Sequence, residues 1–274
     1  MDICLERVTH TYPGGVTALA EVSLTVRAGE AVAIIGQNGA GKTSLVKHLN
    51  GLLLPTSGRV RLGEVDTRRR SVAQLAALVG YVFQNPDDQL FQPSVAREAA
   101  FGPRNLGWPA ARAQAAAAAA LEATGLTAVA AKHPYDLAPA ERKRVALAAV
   151  LAMQTPVLVF DEPTTGQDAA GVARIGALIA DLHREGRTLI SVTHDLDFCA
   201  ECFARVIVMG EGRVLADGPT AAVLAQAEVL AQTDVEPPQL MRLAAQLPWG
   251  DAPLPLTAED FAAGWVARHP PAPT

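Results

Sequence analysis

The sequence predicts an α/β fold with a parallel sheet, an antiparallel β subdomain and an inserted helical subdomain, and three observations carry that prediction. Ala31-Val32-Ala33-Ile34-Ile35 and Val157-Leu158-Val159-Phe160 are apolar runs without polar alternation, as in parallel strands covered on both faces. Residues 3–28 instead alternate, as in Val22-Ser23-Leu24-Thr25-Val26, the pattern of half-buried antiparallel strands. From Ser94 to about Leu151 the composition turns helical and alanine-rich, with breaks expected at Gly102-Pro103, Gly107-Trp108-Pro109 and Gly125.

The first buried run leads directly into Gly36-Gln37-Asn38-Gly39-Ala40-Gly41-Lys42-Thr43, a complete GxxxxGK[ST] phosphate loop, which narrows the class to a P-loop nucleoside triphosphatase. Its glycines let the backbone curl so that successive N–H groups face an anion at the start of the next helix. Lys42 supplies a point charge for the outer phosphates, and the Thr43 hydroxyl is placed to ligate Mg²⁺. A ligand-free turn would need neither Lys-Thr at the helix start nor a buried strand before it. The helix is expected from Lys42 to about Leu52, stopped by Pro55-Thr56-Ser57-Gly58, with a short strand at Arg59 to Leu62. About two dozen residues before the loop, Tyr12 is where an adenine-stacking ring would be useful; alone it reads equally as a core residue.

Further along, Gly80-Tyr81-Val82-Phe83 reads as a strand ending at Gln84, a side chain able to reach a metal or an attacking water, followed by the turn Asn85-Pro86-Asp87-Asp88. Asp161-Glu162 follow the buried run at 157–160, at the end of a strand where open α/β sheets place ligands. Beside a phosphate loop, such a pair suggests one carboxylate for Mg²⁺ through water and one to polarise the attacking water. Leu189-Ile190-Ser191-Val192 delivers His194 to the same edge, placed to hydrogen-bond a γ-phosphate or hold water. Arg205 to Met209 and Arg213 to Leu215 form a closing hairpin around Gly210-Glu211-Gly212. Beyond about Val235 the chain is proline-rich, with short helices expected at Pro238 to Gln246 and Ala258 to Arg268 and disorder in the last six residues.

Composition excludes several classes. The 274 residues are 50% hydrophobic, enough for a sizeable core, and carry a net charge of -5 with a pI near 5.7, the opposite of a nucleic-acid footprint. Arg68-Arg69-Arg70, a short basic run, reads as a solvated loop. No long apolar stretch suits a membrane span, and the start Met1-Asp2-Ile3-Cys4-Leu5-Glu6 lacks the regions of a secretory signal, so a cytosolic location is expected. Three cysteines fit a reducing compartment. Cys199 and Cys202 form a CxxC without a second pair to complete a zinc site, and read as helix cysteines.

Taken together, the phosphate loop, Gln84, the segment Leu137 to Val145, Asp161-Glu162, Asp168 and His194 stand in the order of the ATP-binding subunit of ABC transporters, a resemblance spanning residues 2–225. Gln84-Asn85-Pro86-Asp87-Asp88-Gln89-Leu90-Phe91 and Ala100-Phe101-Gly102-Pro103 more narrowly resemble the ATPases of cobalt and nickel importers and of energy-coupling-factor vitamin transporters. Pro237-Pro238-Gln239-Leu240 with Arg242-Leu243 resembles their C-terminal extension, which in that group helps two ATPases associate. The resemblance implies an ABC nucleotide-binding domain at 1–225, with a helical subdomain at about 85–155, and an extension at 226–274.

By the same resemblance ATP and Mg²⁺ are the cofactors. Tyr12 becomes the adenine platform, and Gly36, Gln37, Asn38, Gly39, Ala40, Gly41, Lys42, Thr43 and Ser44 the phosphate cradle. Thr43 and Gln84 would ligate Mg²⁺ directly and Asp161 through water. Glu162 would be the catalytic base, His194 the γ-phosphate switch, and Asp168 part of the link between the two sites of a dimer. The implied partners are a second ATPase subunit and integral membrane subunits, whose coupling helices would dock on the helical subdomain. A peripheral location on the cytoplasmic face of the membrane and import of a transition-metal ion or vitamin follow. Two rivals are weaker: a soluble mechanoenzyme acting on nucleic acid would carry a coiled-coil insertion or a second ATPase domain, and a regulatory module would not need Glu162.

One segment departs from the family. Leu137-Ala138-Pro139-Ala140-Glu141 stands where the resemblance implies Leu-Ser-Gly-Gly-Gln, the signature that closes over the opposite subunit's γ-phosphate. Ala138 has no hydroxyl, Pro139 has no N–H, and Ala140 adds a Cβ where backbone should approach closely. Proline suits the first turn of a helix, so the dipole survives where the donors do not. Losing two charge-assisted bonds at about 1.5–3 kcal/mol each would weaken that composite site by about a hundredfold or more. An asymmetric dimer with a normal signature on a different subunit is the expectation.

Overall fold

The computed structural model describes residues 1–250 and 253–268, and the expectation for the last six residues falls outside them. In chain order the strands are β1 (Ile3–Thr11), β2 (Thr17–Val26), β3 (Ala31–Ile35), β4 (Ser57–Leu62), β5 (Val65–Asp66), β6 (Val79–Val82), β7 (Val157–Asp161), β8 (Thr188–Val192), β9 (Arg205–Gly210) and β10 (Arg213–Pro219). The helices are α1 (Lys42–Lys47), α2 (Val72–Ala76), α3 (Val95–Asn105), α4 (Ala110–Ala123), α5 (Pro139–Leu151), α6 (Ala169–Arg184), α7 (Leu196–Cys202), α8 (Thr220–Leu224), α9 (Ala227–Ala231), α10 (Gln239–Ala245) and α11 (Ala258–Arg268).

Two sheets result. An antiparallel sheet runs β2-β1-β4-β5, and a six-stranded sheet runs β10-β9-β3-β8-β7-β6. In the second, β9, β3, β8, β7 and β6 are parallel and β10 closes the edge antiparallel to β9. The apolar runs are explained by what covers them. Ala33 and Ile35 of β3 pack toward the helices with Leu158 and Phe160 of β7, while Val32, Ile34, Val157 and Val159 pack toward the antiparallel sheet. A strand buried on both faces has no side to leave polar. Register then sets the functional edge: Ile34 lies opposite Val192, Val192 opposite Asp161, and Phe160 opposite Val82. Whatever follows these strands emerges together.

The structure corrects two local expectations. The helix after the phosphate loop ends at Lys47 rather than Leu52, because the following amides switch to tighter bonds, His48 N to Leu45 O and Leu49 N to Val46 O. The segment Gly102-Pro103 does not break α3, which runs through it to Asn105. Gly102 serves packing instead, since a Cβ there would lie 2.5 Å from the Met153 side chain beside α5. The break falls at Gly107, whose φ is +79°. In α4, Ala113, Ala116, Ala117 and Ala120 are buried at helical spacing, so half of the alanine run faces the core.

The proline-rich end is not detached. The Gln239 amide donates to Asp197 Oδ1 at 3.0 Å, Met241 and Ala244 are buried, and the Trp249 ring stacks on Phe261 at 5.1 Å. At the other end of the site, His48 is fully buried, with Nδ1 donating to the Ser44 carbonyl at 2.6 Å. Burial, opposed by that bond, pushes its imidazole down to about 4. An unfolded chain therefore takes up this proton first, at about pH 6.5, and stability drains as pH falls from there toward 4. Urea midpoints measured at pH 7 and pH 5 should drop for the wild type and drop less for His48→Gln; equal losses would exclude His48 as a source.

Candidate functional site

The site is assembled from the carboxyl ends of β3, β7, β8 and β6. After β3 the chain turns through Gly36, Gly39 and Gly41, with φ of +144°, +85° and +96°. Two of these admit glycine alone: a Cβ at Gly36 would lie 2.1 Å from the Met209 carbonyl oxygen, and one at Gly41 2.4 Å from that of Ala18. The loop is thus clamped between β9 and β2, and this close approach aims α1 at the cleft.

Lys42 opens α1 and is only 7% exposed. Its Nζ donates to the carbonyls of Gly36 at 2.6 Å and Gln37 at 2.9 Å, so the side chain lies back along its own loop. Burial lowers the ammonium from its ordinary value, and the carboxylates of Glu162 and Asp161 pull it back up. Asp161, at the end of β7, is almost fully buried, and both its oxygens accept hydroxyl hydrogens. Thr43 Oγ1 donates to Oδ1 at 3.2 Å, and the Tyr81 hydroxyl on β6 donates to Oδ2 at 2.7 Å. Among the described residues this carboxylate forms no ion pair. A carboxylate held by hydroxyls rather than by a direct ion pair, beside a threonine hydroxyl, offers the hard oxygen donors that fit Mg²⁺. The glycine-only loop, with an ammonium whose carbonyl partners can be exchanged for phosphate oxygens, fits a nucleoside triphosphate.

Glu162 comes next and holds φ of +54°, an uncommon conformation for a residue with a side chain. It is fixed by its amide, which donates to Val192 O at 2.8 Å and so stitches β7 to β8. Its carboxylate Oε2 lies 2.7 Å from Nδ1 of His194, whose side chain is 65% exposed. His194 follows β8, and Thr193 beside it donates its amide to Ile34 O of β3 at 3.2 Å. Strand pairing thus holds the carboxylate and the imidazole against one another.

A cleft of about 780 Å³ lies over this edge, lined by Gly36, Gln37, Asn38, Gln84 and His194. Its far wall comes from the C-terminal segment, at Asp234, Pro237, Pro238 and Arg242. Lys42, Thr43, Asp161 and Glu162 lie buried or half-buried beneath it, and Tyr12 and Asp168 stand outside it. Tyr12 is 36% exposed and joins the loop through its hydroxyl, 3.0 Å from Ser44 Oγ. Asp168 is exposed at the start of α6, which it caps by accepting from the Gly171 amide at 2.7 Å. The segment Leu137 to Glu141 leads into α5, where Glu141 accepts from the Ala138 amide at 3.2 Å.

Sequence reading missed two residues. Tyr81 was hidden in an apolar run, and its one signal is a phenol in a strand expected beside the strand of Asp161. Lys143, on α5, is 4% exposed, and its Nζ donates to the Gln84 carbonyl at 2.6 Å. Burial lowers its ammonium, with Asp161 and Glu162 opposing. It connects the α5 helix directly to the end of β6. Cys199 and Cys202 lie one turn apart on α7, and burial pushes both thiols up, Cys202 to about 11, so neither is a thiolate at neutral pH. Among the described residues no helix is long and apolar enough to cross a membrane.

Residues 19–165 match the family model described as ABC transporter. The chain is 41% identical over 276 residues to the cobalt import ATP-binding protein CbiO of Rhodobacter capsulatus, covering 97% of this chain and 99% of that protein. It is 42% identical over 241 residues to the energy-coupling factor transporter ATP-binding protein EcfA of Methanoculleus marisnigri, covering 88% and 87%. In three dimensions it is similar to cbiO1 from Clostridium perfringens, part of the ABC transporter complex cbiONQ, with a TM-score of 0.74 at 36% identity over 89% of this chain and 97% of that one. With a glycine-clamped phosphate loop and a strand-end Asp-Glu pair at one sheet edge, the chain belongs to the ABC transporter ATP-binding family and is an ATPase of it.

Proposed function

We propose that this chain is the ATP-hydrolysing subunit of an importer for a transition-metal ion or a vitamin, working through membrane partner subunits. The observation that carries the reading is the convergence of Lys42, Asp161, Glu162 and His194 at one sheet edge. Its narrower part rests on likeness to the CbiO and EcfA proteins. A regulatory or soluble ABC-type ATPase is not favoured, since those relatives are named as transporter proteins.

In the proposed reaction, residues 36–44 cradle the phosphates while Lys42 exchanges its loop carbonyls for phosphate oxygens. Thr43, Gln84 and Asp161 hold Mg²⁺, which when bound neutralises charge on the phosphates. Glu162 accepts the proton of the attacking water as its oxygen bonds to the γ-phosphorus and the bond to the β,γ-bridging oxygen breaks, leaving ADP and phosphate. His194 orients Glu162 through their 2.7 Å contact and presents its exposed edge to the γ-phosphate. Tyr12 is the adenine platform, and Asp168 belongs to the link between two sites.

A partner-facing element supports the transport reading. An apolar groove of about 340 Å³ lies between β6 and α3, lined by Leu52, Val72, Phe83, Phe91, Phe101 and Met153. Phe91 and Phe101 meet edge to face at 4.7 Å. Phe91 is 60% exposed, yet its backbone is held, because buried Glu98 accepts from the amides of Phe91 and Gln92 at 2.9 and 2.7 Å. A fixed, exposed aromatic pair over a groove suits a helix from a membrane subunit. We assign residues 1–225 to the ATPase domain, with the helical subdomain at about 85–155. The extension at 226–274 is assigned to association with a second ATPase, and the assembly to the cytoplasmic face of the membrane.

The second ATPase is proposed to be a different chain. At the start of α5, Pro139 offers no donor and the Ala138 amide is already taken by Glu141, so this segment makes a poor lid for a partner's γ-phosphate.

Three outcomes test these assignments. In the complex purified from membranes, Glu162→Gln should lower ATP turnover by about 10²–10⁴ while MgATP binding persists; unchanged turnover removes Glu162 as the base. Replacing Ala138, Pro139 and Ala140 by Ser, Gly and Gly should raise the turnover of the chain paired with itself about a hundredfold; no rise argues against an asymmetric dimer. Phe91→Ala combined with Phe101→Ala should release the chain from its membrane subunits without weakening MgATP binding, and retention of both would reassign the groove.

A further inference from the structure

Three aromatic rings stand in series from solvent to core beside the phosphate loop. Tyr12, just past β1, is 36% exposed, His10 on β1 is 8% exposed, and His48, just past α1, is fully buried. The Tyr12 and His10 centroids are 4.7 Å apart at an interplanar angle of 87°, and those of His10 and His48 are 4.9 Å apart at 79°. Each contact is edge to face, the arrangement aromatic quadrupoles favour.

Backbone carbonyls fix the two histidines. His10 Nδ1 donates to Leu54 O at 3.0 Å and His48 Nδ1 to Ser44 O at 2.6 Å. A carbonyl only accepts, so each Nδ1 bears the proton and each Nε2 presents a lone pair. Neither Nε2 has a hydrogen-bond partner. Burying such an atom is unfavourable, and phenylalanine would fill the same space without that penalty. Ser44 joins both ends: its carbonyl holds His48, and its Oγ lies 3.0 Å from the Tyr12 hydroxyl. Tyr12, His10, His48 and Ser44 thus form a closed circuit, with Ser44 adjoining Thr43 in the phosphate cradle.

We infer that His10 and His48 are positioning residues for the adenine base, setting the plane of the Tyr12 ring and tying it to the first turn of α1. The inference rests on the reading of Tyr12 as the adenine platform. Tyr12 lies at an exposed chain position, next to the turn Pro13-Gly14-Gly15, and with a single hydroxyl contact its ring would rotate freely about that anchor. His10 removes the freedom by meeting the ring at right angles, and His48 does the same for His10. Base stacking and phosphate binding would then be coupled through Ser44.

The test separates base from phosphate. Binding of MgATP and of magnesium tripolyphosphate, which carries no base, is measured by calorimetry on the full chain. Tyr12→Ala should weaken MgATP about tenfold, the scale of one base stacked on one ring, and leave tripolyphosphate unchanged. His10→Ala should weaken MgATP about threefold or more with tripolyphosphate again unchanged, and His10→Phe should restore wild-type binding. His10→Gln, which keeps a donor for Leu54 without a ring, should behave as His10→Ala and guards against a folding defect in the alanine variant. If Tyr12→Ala weakens MgATP and the His10 variants do not, the positioning role is wrong. If they weaken MgATP and tripolyphosphate equally, the histidines act on the whole fold, and the inference fails. If Tyr12→Ala has no effect, the platform reading itself falls.

Discussion

An ammonium removed from water needs replacement partners, and Lys42, at 7% exposure, finds them in the carbonyls of Gly36 and Gln37. Much of the molecule follows from that arrangement. The loop can present those carbonyls only by passing within contact of Met209 and Ala18, which forces glycine at 36 and 41. That approach in turn requires β9 beside β3 and β2 above it. The positive charge has its counter-charges in Asp161 and Glu162, which reach it because β7, β8 and β3 are in parallel register. Charge, loop and sheet order therefore depend on one another.

The first two turns of α5 serve different neighbours. At its start, the segment Ala138-Pro139-Ala140 is poor in donors, while one turn later Lys143 holds the Gln84 carbonyl at 2.6 Å. Gln84 lines the phosphate cleft, and Gln89, five residues on, donates to Ala146 O of the same helix at 2.9 Å. Events in the cleft thus have a short, bonded route through α5 to the segment that carries Phe91. In the proposed importer this route would couple hydrolysis to the membrane subunits, and the proposed asymmetry would come from Ala138-Pro139-Ala140 at the start of α5.

What could be read from the chain was what local pattern encodes. The runs at 31–35 and 157–160 announced buried parallel strands because both faces are covered. The alternation before Val26 announced a half-buried sheet, and the phosphate loop announced its own conformation through its glycines. The unreadable features arise from distant partners. Tyr81 meets Asp161 across 80 residues of sequence and Lys143 meets Gln84 across 59, so neither residue advertises its role locally. Gly102 looked like a helix breaker because its actual constraint, the Met153 side chain, belongs to another element. The C-terminal wall of the cleft escaped notice for the same reason, since only tertiary packing through Asp197 and Met241 brings residues 234–242 to His194.

If Ala138-Pro139-Ala140 makes the poor lid proposed for it, the chain should bind triphosphate alone yet fail to close on a copy of itself. Sedimentation of Glu162→Gln in MgATP, where blocked hydrolysis would leave any closed pair intact, measures this most directly. The expected result is a nucleotide-bound monomer at micromolar concentration. A stable dimer retaining two triphosphates would contradict it.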